Sequence, residues 1–418
     1  MTTVQIPTAA TSVPAPGRRF ALAPMPAFIG TAAAFAGLYL AAGAPSPLFT
    51  LYQEEWGFPA GLLTIAFAAY AIALVLALTV AGSLSDFIGR RPVLIGAMIV
   101  ELGSMVMFIF APNIGWVIAA RVVQGLATGA ATSAFSASLL ELAPDRLKRL
   151  AAIIGGAAPA GGLGIGALLA GIAVQFSTAA SVIVFTSLAV VMVLGALVAI
   201  LSRETVTKQA GALRSLTPRI AVPLAARAEF AGTVPVLLGG WMFSALFIGL
   251  APTIVNGIFH IHSGFVDGAT VFIAPGLAAV SGFVLGRFTP RTALIVGSVA
   301  VAVGIAIVVA GIGFEVLPLV WLGGVVGGFG FGASFSGSLR LLGPFAAANQ
   351  RAELFAAVFL VAYLSFGVPA IILGQLVAPL GLLTTVIGFG VVTLAASFGG
   401  IVAQLRLAAR AGRSSQNA

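Results

Sequence analysis

Apolar residues follow one another along this chain in long stretches, which are separated by short breaks that carry charge, proline or glycine. A helix needs roughly 20 apolar residues to cross a hydrocarbon core of ~30 Å, and twelve stretches reach that length. The predicted membrane spans are residues 26–50, 57–81, 92–111, 115–140, 151–175, 180–201, 232–258, 266–286, 292–313, 317–339, 354–378 and 380–404. The pattern therefore predicts an all-α polytopic membrane protein with twelve transmembrane helices.

The composition agrees with a lipid environment. Of the 418 residues, 60% are hydrophobic and 7% are charged, and the mean hydropathy is +1.15, whereas soluble domains carry about 25% charged residues. Cysteine is absent, which excludes disulfides, thiolate chemistry and cysteine-ligated metals. The net charge of +9 could suggest a nucleic-acid binder, but such proteins gather their charge on a soluble face. We therefore expect the lipid bilayer, and no nucleic acid, as a partner.

The basic residues test the number and the orientation of the spans. If the N-terminus is placed inside, every lysine and arginine except Arg121 falls in a terminal tail, an inner loop or the middle loop. Lysine and arginine accumulate in cytoplasmic loops, so this distribution predicts that both termini are cytoplasmic. The excess of arginine over lysine is typical of a GC-rich bacterium, and we expect the bacterial inner membrane. The predicted external loops hold the acids Glu54, Glu55, Asp267 and Glu315.

The polar stretch 203–230 divides the chain into two halves of six spans that resemble each other. GLATGAATS at 125–133 corresponds to GFGFGASFS at 328–336, and Gly82 and Arg91 correspond to Gly282 and Arg291. Parallel repeats of this kind suggest two bundles that rock around a shared cavity at the middle of the membrane. The predicted division is a disordered cytoplasmic tail at 1–22, an N-terminal bundle at 23–202, a cytoplasmic linker at 203–230, a C-terminal bundle at 231–405 and a cytoplasmic tail at 406–418.

Three stretches resemble signatures of the major facilitator superfamily. GSLSDFIGRRP (82–92) is similar to its loop motif between the second and third spans, and RVVQGLATG (121–129) to its fourth-span motif. GLGIGALLAG (162–171) is similar to the fifth-span motif of its antiporter branch, with Ala167 in place of a proline and Ala170 in place of a glycine. The resemblance covers all twelve spans. It implies two pseudo-symmetric six-helix bundles that transport by alternating access, in a drug/proton-antiporter-like branch.

The loop motif concentrates charge in an otherwise apolar sequence. Gly82 allows two helices to approach closely, and Gly89 can take the positive φ of a tight turn. Asp86 can meet Arg90 or the positive N-terminus of another helix. By the resemblance, Asp86 latches the two halves together on the cytoplasmic side in the outward-open state. The alternative for Arg90 and Arg91 is that they only follow the positive-inside distribution.

Two charged residues are predicted deep in the membrane, Arg121 in the fourth span and Glu101 in the third. An arginine at this depth costs at least ~2.5 kcal/mol on insertion scales, so it should face a cavity and have a partner. The resemblance ties the matching arginine to proton coupling or to substrate charge. The first span has no acid, so Glu101 is the candidate proton carrier, since burial favours the protonated form of a carboxyl. Alternatively, Arg121 reaches the outer headgroups, and Glu101 is capped by neighbouring helices or faces lipid.

Polar and aromatic residues at span depth would make an amphiphilic substrate cavity, although each alone is equally typical of ordinary helix packing. They are Tyr39, Gln124, Trp241, Asn256 and Tyr363. A set of glycines is predicted to act as hinges or to allow close packing. It comprises Gly125, Gly129, Gly162, Gly166 and Gly171. His260 and His262 lie near Asp267 but lack a third ligand at suitable spacing, so no metal site is predicted.

Together these features favour a secondary transporter. The leading hypothesis is proton-coupled efflux of small apolar or amphiphilic compounds, because a cavity with few charges suits weakly polar solutes. The alternative is a proton-coupled importer of a small organic anion, with Arg121 holding the carboxylate. No phosphate-binding Walker loop is present, so ATP drive is not expected. We predict neither an enzyme nor a cofactor, and we expect a monomer that binds a small-molecule substrate and protons.

Overall fold

The computed structural model of the protein describes residues 22–217, 220–347 and 350–416. The predicted N-terminal tail at 1–22 therefore lies outside the described residues, apart from Leu22. Twelve helices of the described chain are long and apolar enough to cross a membrane, and they are numbered here as spans 1 to 12 in chain order. They are Pro24–Trp56, Ala60–Ala81, Arg90–Ile109, Ile114–Leu142, Asp145–Phe176, Ala180–Leu201, Leu224–Gly257, Gly264–Gly282, Pro290–Gly313, Leu317–Phe345, Glu353–Leu380 and Leu382–Arg410.

Two spans that correspond in the repeat are interrupted. Span 1 consists of the helices Pro24–Gly43 and Pro45–Trp56, which meet at Ala44. Span 7 consists of the helices Arg227–Ala245 and Ala251–Gly257, joined by the π-helical turn Leu246–Leu250. Proline causes both interruptions, because it lacks the N–H that would continue the helical hydrogen bonds. Both breaks lie beyond the midpoint of their span, toward its C-terminal end.

The helical ends differ in places from the predicted domain limits. The helix of span 12 continues to Gln416, into the stretch predicted as a C-terminal tail from residue 406. Leucine, alanine and arginine follow one another there, and these residues favour helix. The main helix of span 7 begins at Arg227, within the predicted linker, and the four-residue helix Ala212–Ser215 lies in the remainder of that linker.

The spans pack into two six-helix groups, with spans 1–6 in one half and spans 7–12 in the other. The main contacts between the halves join span 5 to span 8 and span 2 to span 11. Adding six to a span number gives its partner in the repeat, so these two contacts are exchanged by a pseudo-two-fold axis. The structure is therefore the paired arrangement that the internal repeat predicts.

The halves are in close contact at one face of the membrane. The two ends of the described chain and the linker lie at the same face, called here the terminal face (segments 82–89, 143–147, 202–217 and 220–223). The other face is called the opposite face (loops 57–59, 110–113 and 258–263). At the opposite face a Cβ added to Gly171 would contact the backbone of Gly264 and Gly268. Hydrogen bonds also cross there, from Ser46 Oγ to Ile248 O at 2.7 Å and from Ser263 Oγ to Gln175 Oε1 at 2.8 Å.

Toward the terminal face the halves separate. Gly282 lies on the same side of span 8 as Gly268, yet a Cβ added to it would meet no described atom within 4 Å. The short helix Leu84–Ile88 makes its main contacts with span 3 and with the linker helix Ala212–Ser215, both outside the C-terminal half. The conformation is thus closed at the opposite face and open toward the terminal face.

Candidate functional site

Arg121 lies inside the N-terminal half, where spans 1, 2 and 4 meet, and is 1% exposed. Its Nη1 donates to Ala42 O at 3.0 Å and its Nε donates to Ala66 O at 3.4 Å. Its Cζ lies 4.1 Å from the ring centroid of Tyr70, which gives it a cation–π contact. The side chain is directed toward protein and reaches neither lipid nor headgroups, as the cost of a charge in hydrocarbon requires.

Gln124 connects Arg121 to Glu101. Its Oε1 accepts a hydrogen bond from Arg121 Nη1 at 2.5 Å, and its Nε2 donates to Glu101 Oε1 at 3.2 Å. Glu101 is 0% exposed, and its Oε2 has no hydrogen-bond partner among the described residues. The three side chains form a buried row, called here the polar chain. Gln124 therefore belongs to the interior of the N-terminal half and does not line a substrate cavity, where it was predicted.

The polar chain ends on the interruption of span 1. Gln124 Nε2 also donates to Ala41 O at 2.9 Å. In a continuous helix this carbonyl would accept from the residue four positions later, which is Pro45 and has no N–H. The amide of Gln124 therefore supplies a donor that the proline removes.

Aromatic residues gather at mid-depth around Trp241 of span 7. The Trp241 ring centroid lies 4.8 Å from that of Tyr363, 5.3 Å from that of Phe331 and 5.4 Å from that of Phe335. Tyr363 packs across the boundary between the halves against a buried group that contains Tyr70. Spans 7, 10 and 11 therefore contact one another around Trp241, and span 11 contacts span 2 of the other half through Tyr363.

Two polar atoms of the aromatic residues in this region are buried without a hydrogen-bond partner among the described residues. Tyr39 OH bonds Thr132 Oγ1 at 2.9 Å, whereas Tyr70 OH and Trp241 Nε1 are buried and have no partner among the described residues. Tyr39, Tyr70, Trp241 and Tyr363 are called here the aromatic cluster. Since buried polar groups are normally hydrogen-bonded, the two free donors suit a bound acceptor.

Asn256 lies apart from the aromatic cluster, at the opposite face. Its Nδ2 donates to Asp267 Oδ1 at 3.2 Å and Oδ2 at 3.1 Å, and to Pro252 O at 2.8 Å. Asp267 was predicted in an external loop, but it is 3% exposed in the first turn of the helix Gly264–Leu285. The Asn256 amide is the donor that accompanies the burial of this acid, since buried polar groups are normally hydrogen-bonded. His260 and His262 are exposed nearby.

The residues of the loop motif are tied together within the N-terminal half. Arg90 forms ion pairs with Asp86 and, at 3.1 Å, with Glu141 of span 4. The side chain of Asp86 is 56% exposed. In this conformation its ion pair is with Arg90, so a latch to the C-terminal half would have to form when the terminal face closes.

The linker completes this cluster. Glu204 accepts from the backbone N–H groups of Arg90 at 2.8 Å and Arg91 at 3.1 Å, and so caps span 3. Gly89 has φ of 101°, and a Cβ added there would contact the Glu204 carboxylate. Arg91 donates to the carbonyls of Ala199 and Ile200, while Gly82 O accepts from Ser133 Oγ at 2.6 Å. The glycine at position 89 thus serves both the turn and the cap.

The predicted glycines have two different uses. Gly125 and Gly129 hold span 4 against span 2, and Gly162 and Gly166 hold span 5 against span 1. These four act within the N-terminal half, where missing side chains let backbones approach. Gly171 alone of the five lies between the halves.

Sequence reasoning missed four residues of this arrangement. Ser46 could have been found from its position between two prolines, where a helix must break. Glu141 in the last turn of span 4 and Glu204 just after the end of span 6 are acids at the face rich in arginine. Thr132 carries no signal beyond its place one turn from Thr128 on span 4.

The family model described as Major Facilitator Superfamily matches residues 28–368. The chain is 33% identical over 98 residues to the 4-hydroxybenzoate transporter PcaK of Pseudomonas putida, which is 23% of this chain and 22% of that protein. The match thus spans about a fifth of the length of this curated relative.

Solved structures of similar shape cover nearly the whole chain. A peptide transporter POT in complex with sulfate has a TM-score of 0.71 at 14% identity, covering 93% of this chain and 95% of its own. A POT family transporter in complex with 5-aminolevulinic acid has a TM-score of 0.69 at 13% identity, covering 91% and 95%. The nucleoside transporter NupG has a TM-score of 0.68 at 14% identity, covering 90% and 99%. At these identities the likeness concerns the fold.

Proposed function

The chain belongs to the major facilitator superfamily, and on that premise we propose that it is an alternating-access carrier of small aromatic or amphiphilic solutes, coupled to protons. We place it in a bacterial inner membrane with both termini cytoplasmic, as the distribution of arginine and lysine predicts. It works as a monomer and as a carrier without enzymatic activity.

One observation carries the proposal: the aromatic cluster lies at mid-depth, on the boundary along which the two halves meet. Trp241 and Tyr363 belong to the C-terminal half, and Tyr39 and Tyr70 to the N-terminal half. A solute between them is touched by both halves, so rocking of the halves moves its access from one face to the other. The open terminal face provides one of the two access routes.

The chemistry of the cluster favours planar, mainly apolar solutes. Aromatic side chains offer large, rigid contact surfaces, and stacked or edge-on rings contribute ~0.5–1.5 kcal/mol beyond burial. Within the described part of the chain, Tyr70 OH and Trp241 Nε1 are buried donors without a partner, so they suit a solute that carries one or two acceptor atoms. A sugar or a phosphate would need many more partners.

Glu101 is the residue through which we propose proton coupling. It is fully buried, it receives one hydrogen bond from Gln124, and Arg121 acts on it from the same polar chain. An intramembrane acid is costly, and such acids mark proton relays in transporters. Efflux is the leading direction because the solutes that fit the cluster also partition into the membrane.

A specific observation favours a second candidate, import of an aromatic carboxylate. The similarity over 98 residues is to a 4-hydroxybenzoate transporter. Arg121 lies directly behind the Tyr70 ring, so a rotation of that ring would bring a guanidinium into reach of a carboxylate bound among the aromatic residues. This candidate uses the same site and the same coupling residue.

Purified protein in proteoliposomes with an imposed pH gradient tests both candidates. Efflux predicts that an amphiphilic aromatic dye moves against the proton flow, and import predicts that 4-hydroxybenzoate moves with it. Glu101→Gln should reduce gradient-driven transport by more than about tenfold, which corresponds to ~1.4 kcal/mol, and should leave solute binding intact. Glu315→Gln, an exposed acid at the opposite face, is the matched control. Wild-type gradient response in Glu101→Gln would exclude this coupling scheme.

A further inference from the structure

The interruption of span 1 lies between the polar chain and a contact between the two halves at the opposite face. On one side of it, Ala41 O and Ala42 O accept from Gln124 Nε2 and Arg121 Nη1 of the polar chain. On the other side, the buried Ser46 donates to Ile248 O of the C-terminal half, at the opposite face. Six residues of one chain segment thus connect the polar chain to a contact that closes the opposite face.

The partner across that contact is interrupted as well. Ile248 belongs to the π-helical turn of span 7, and Pro252 cannot donate to its carbonyl. The hydrogen bond from Ser46 therefore links two helix breaks, one from each half. π-Helical turns are rare and occur frequently at functional sites. We call the Ser46–Ile248 contact, with the helices it joins, the opposite-face gate.

Gln124 has no spare hydrogen-bonding group toward Glu101. One amide has two N–H donors, and its Nε2 is shared between Ala41 O and Glu101 Oε1, while its Oε1 accepts from Arg121. If Gln124 moved to donate a shorter hydrogen bond to the Glu101 carboxyl, it would have to release the carbonyl of Ala41 in span 1.

The surroundings of Glu101 fit its neutral form. Its Oε2 has no hydrogen-bond partner among the described residues, and its Oε1 accepts from Gln124 Nε2 at 3.2 Å, whereas a buried carboxylate requires several donors or a direct ion pair. The ionisable groups that act on it are Arg121 of span 4 and Tyr70 of span 2. Span 6, which also packs on span 3, has no ionisable side chain between residues 180 and 201.

We propose that Gln124 is the positioning residue that couples the protonation of Glu101 to the opposite-face gate, through the interruption of span 1. With the proton bound, Gln124 and Arg121 hold the carbonyls of span 1 and the gate is closed. When the proton is lost to water, the Glu101 carboxylate attracts both donors. The carbonyls of Ala41 and Ala42 are then released, the break in span 1 loosens, and the gate opens. The inference rests on the proton coupling proposed above.

The absence of cysteine allows a direct test without a background substitution. Spin labels on Glu55→Cys and His262→Cys, two exposed positions in different halves at the opposite face, report the distance across the gate in lipid nanodiscs. In otherwise wild-type protein we expect a short distance in acidic buffer and a second, longer population in alkaline buffer.

Gln124→Leu should abolish this pH-dependent shift while the labelled protein still folds and binds solute. The matched control is Gln404→Leu, which removes another buried amide that donates to a backbone carbonyl, Gly232 O, in the C-terminal half. It should keep the wild-type shift. Pro45→Ala provides a second variant that leaves Gln124 in place. It restores an N–H for Ala41 O and favours helix, so it too should abolish the shift.

The outcomes separate the two proposals. A shift of wild-type size in both Gln124→Leu and Pro45→Ala would overturn the role of Gln124 and leave proton coupling standing. Equal loss of the shift in Gln404→Leu would also overturn it, since any buried amide would then matter. If the wild-type distances do not depend on pH, and Glu101→Gln leaves them unchanged, proton coupling of the gate fails and this inference fails with it.

Discussion

Spans 4 and 10 hold the same place in the two repeats, but the buried face of span 4 carries polar side chains and that of span 10 packs against phenylalanine rings. The correspondence of 125–133 with 328–336 sets Arg121 opposite Gly324 and Gln124 opposite Gly327. In span 4 these positions carry buried polar side chains. In span 10 the rings of Phe247 and Phe243 occupy the space that side chains at the two glycines would need.

The difference indicates that the polar chain is not required for packing. The C-terminal half reaches the same arrangement of helices with phenylalanine rings, which have no desolvation cost, whereas buried charges must be compensated. A chain that retains Arg121 and Glu101 in one half, where hydrocarbon would suffice, keeps them for a task other than stability. Under the proposed function, proton coupling lies in the N-terminal half, whereas both halves contribute two residues each to the aromatic cluster.

The largest expected effect comes from Arg121→Ala, which breaks the polar chain. It leaves Glu101, Ala42 O and Ala66 O without their cationic neighbour, and removing one member of a buried charged group costs about 3–5 kcal/mol. Reversible denaturant titration in detergent micelles measures the loss in free energy of unfolding. Arg340→Ala removes a guanidinium that also donates to backbone carbonyls, but at an exposed position. It should cost less than ~1 kcal/mol, and similar losses for both would contradict the special role of Arg121.

A smaller effect is expected from Asp86→Asn, in the intact loop motif of the N-terminal half. We predict normal expression and a loss of transport of about 100-fold, because a state that loses its latch is depopulated tenfold for each ~1.4 kcal/mol. Transport in proteoliposomes is the measurement. Asp145→Asn, another acid at the terminal face, is the control. Normal transport by Asp86→Asn would exclude the latch.

The contact between the halves is tested by Gly171→Val, with an expected cost of ~1–3 kcal/mol from overpacking against span 8. Closure of the opposite face should weaken, so a cysteine placed at the buried position Thr64 should react about tenfold faster with a membrane-impermeant maleimide. Gly103→Val is the control, since a side chain there meets no described atom within 4 Å. Unchanged labelling in Gly171→Val would mean that this glycine does not limit closure.

The smallest expected effect concerns the aromatic cluster and tests whether the Nε1 group of Trp241 contributes to solute affinity. Trp241→Phe keeps an aromatic ring but removes the Nε1 donor. For a solute whose acceptor atom binds this donor, the loss of one hydrogen bond of ~1 kcal/mol should lower the affinity about fivefold. Equilibrium binding of an acceptor-bearing solute and of its acceptor-free analogue measures this difference. Trp321→Phe is matched, because that Nε1 already donates to Thr270. Equal effects on both solutes would show that Trp241 contributes its ring alone.

Sequence reasoning reached the motif residues but misplaced some of their neighbours. Arg121 and Glu101 were recognised because charge in an apolar span is rare, and both are buried as a pair linked by Gln124. Gln124 and Asn256 were assigned to the cavity because polar side chains in spans often line one. The structure engages both amides elsewhere, one with the polar chain and one with Asp267. The hydrogen-bonding groups of a side-chain amide can pair with any of several neighbours, and the sequence does not show which neighbour is the partner.

By itself the sequence determined the twelve spans and the relation of the two halves. A bilayer demands helices of about 20 apolar residues with all backbone groups bonded, so length and hydropathy suffice for that level. The tertiary structure alone decided which face of each span is turned inward, and so where Glu101, Gln124 and Asp267 lie. The spans are apolar on nearly every side, as lipid and protein interior are equally hydrophobic, and periodicity therefore carries no signal for the buried face. Contacts with the neighbouring helices, and hydrogen bonds to the carbonyls that proline leaves free, determine which face of each span is buried.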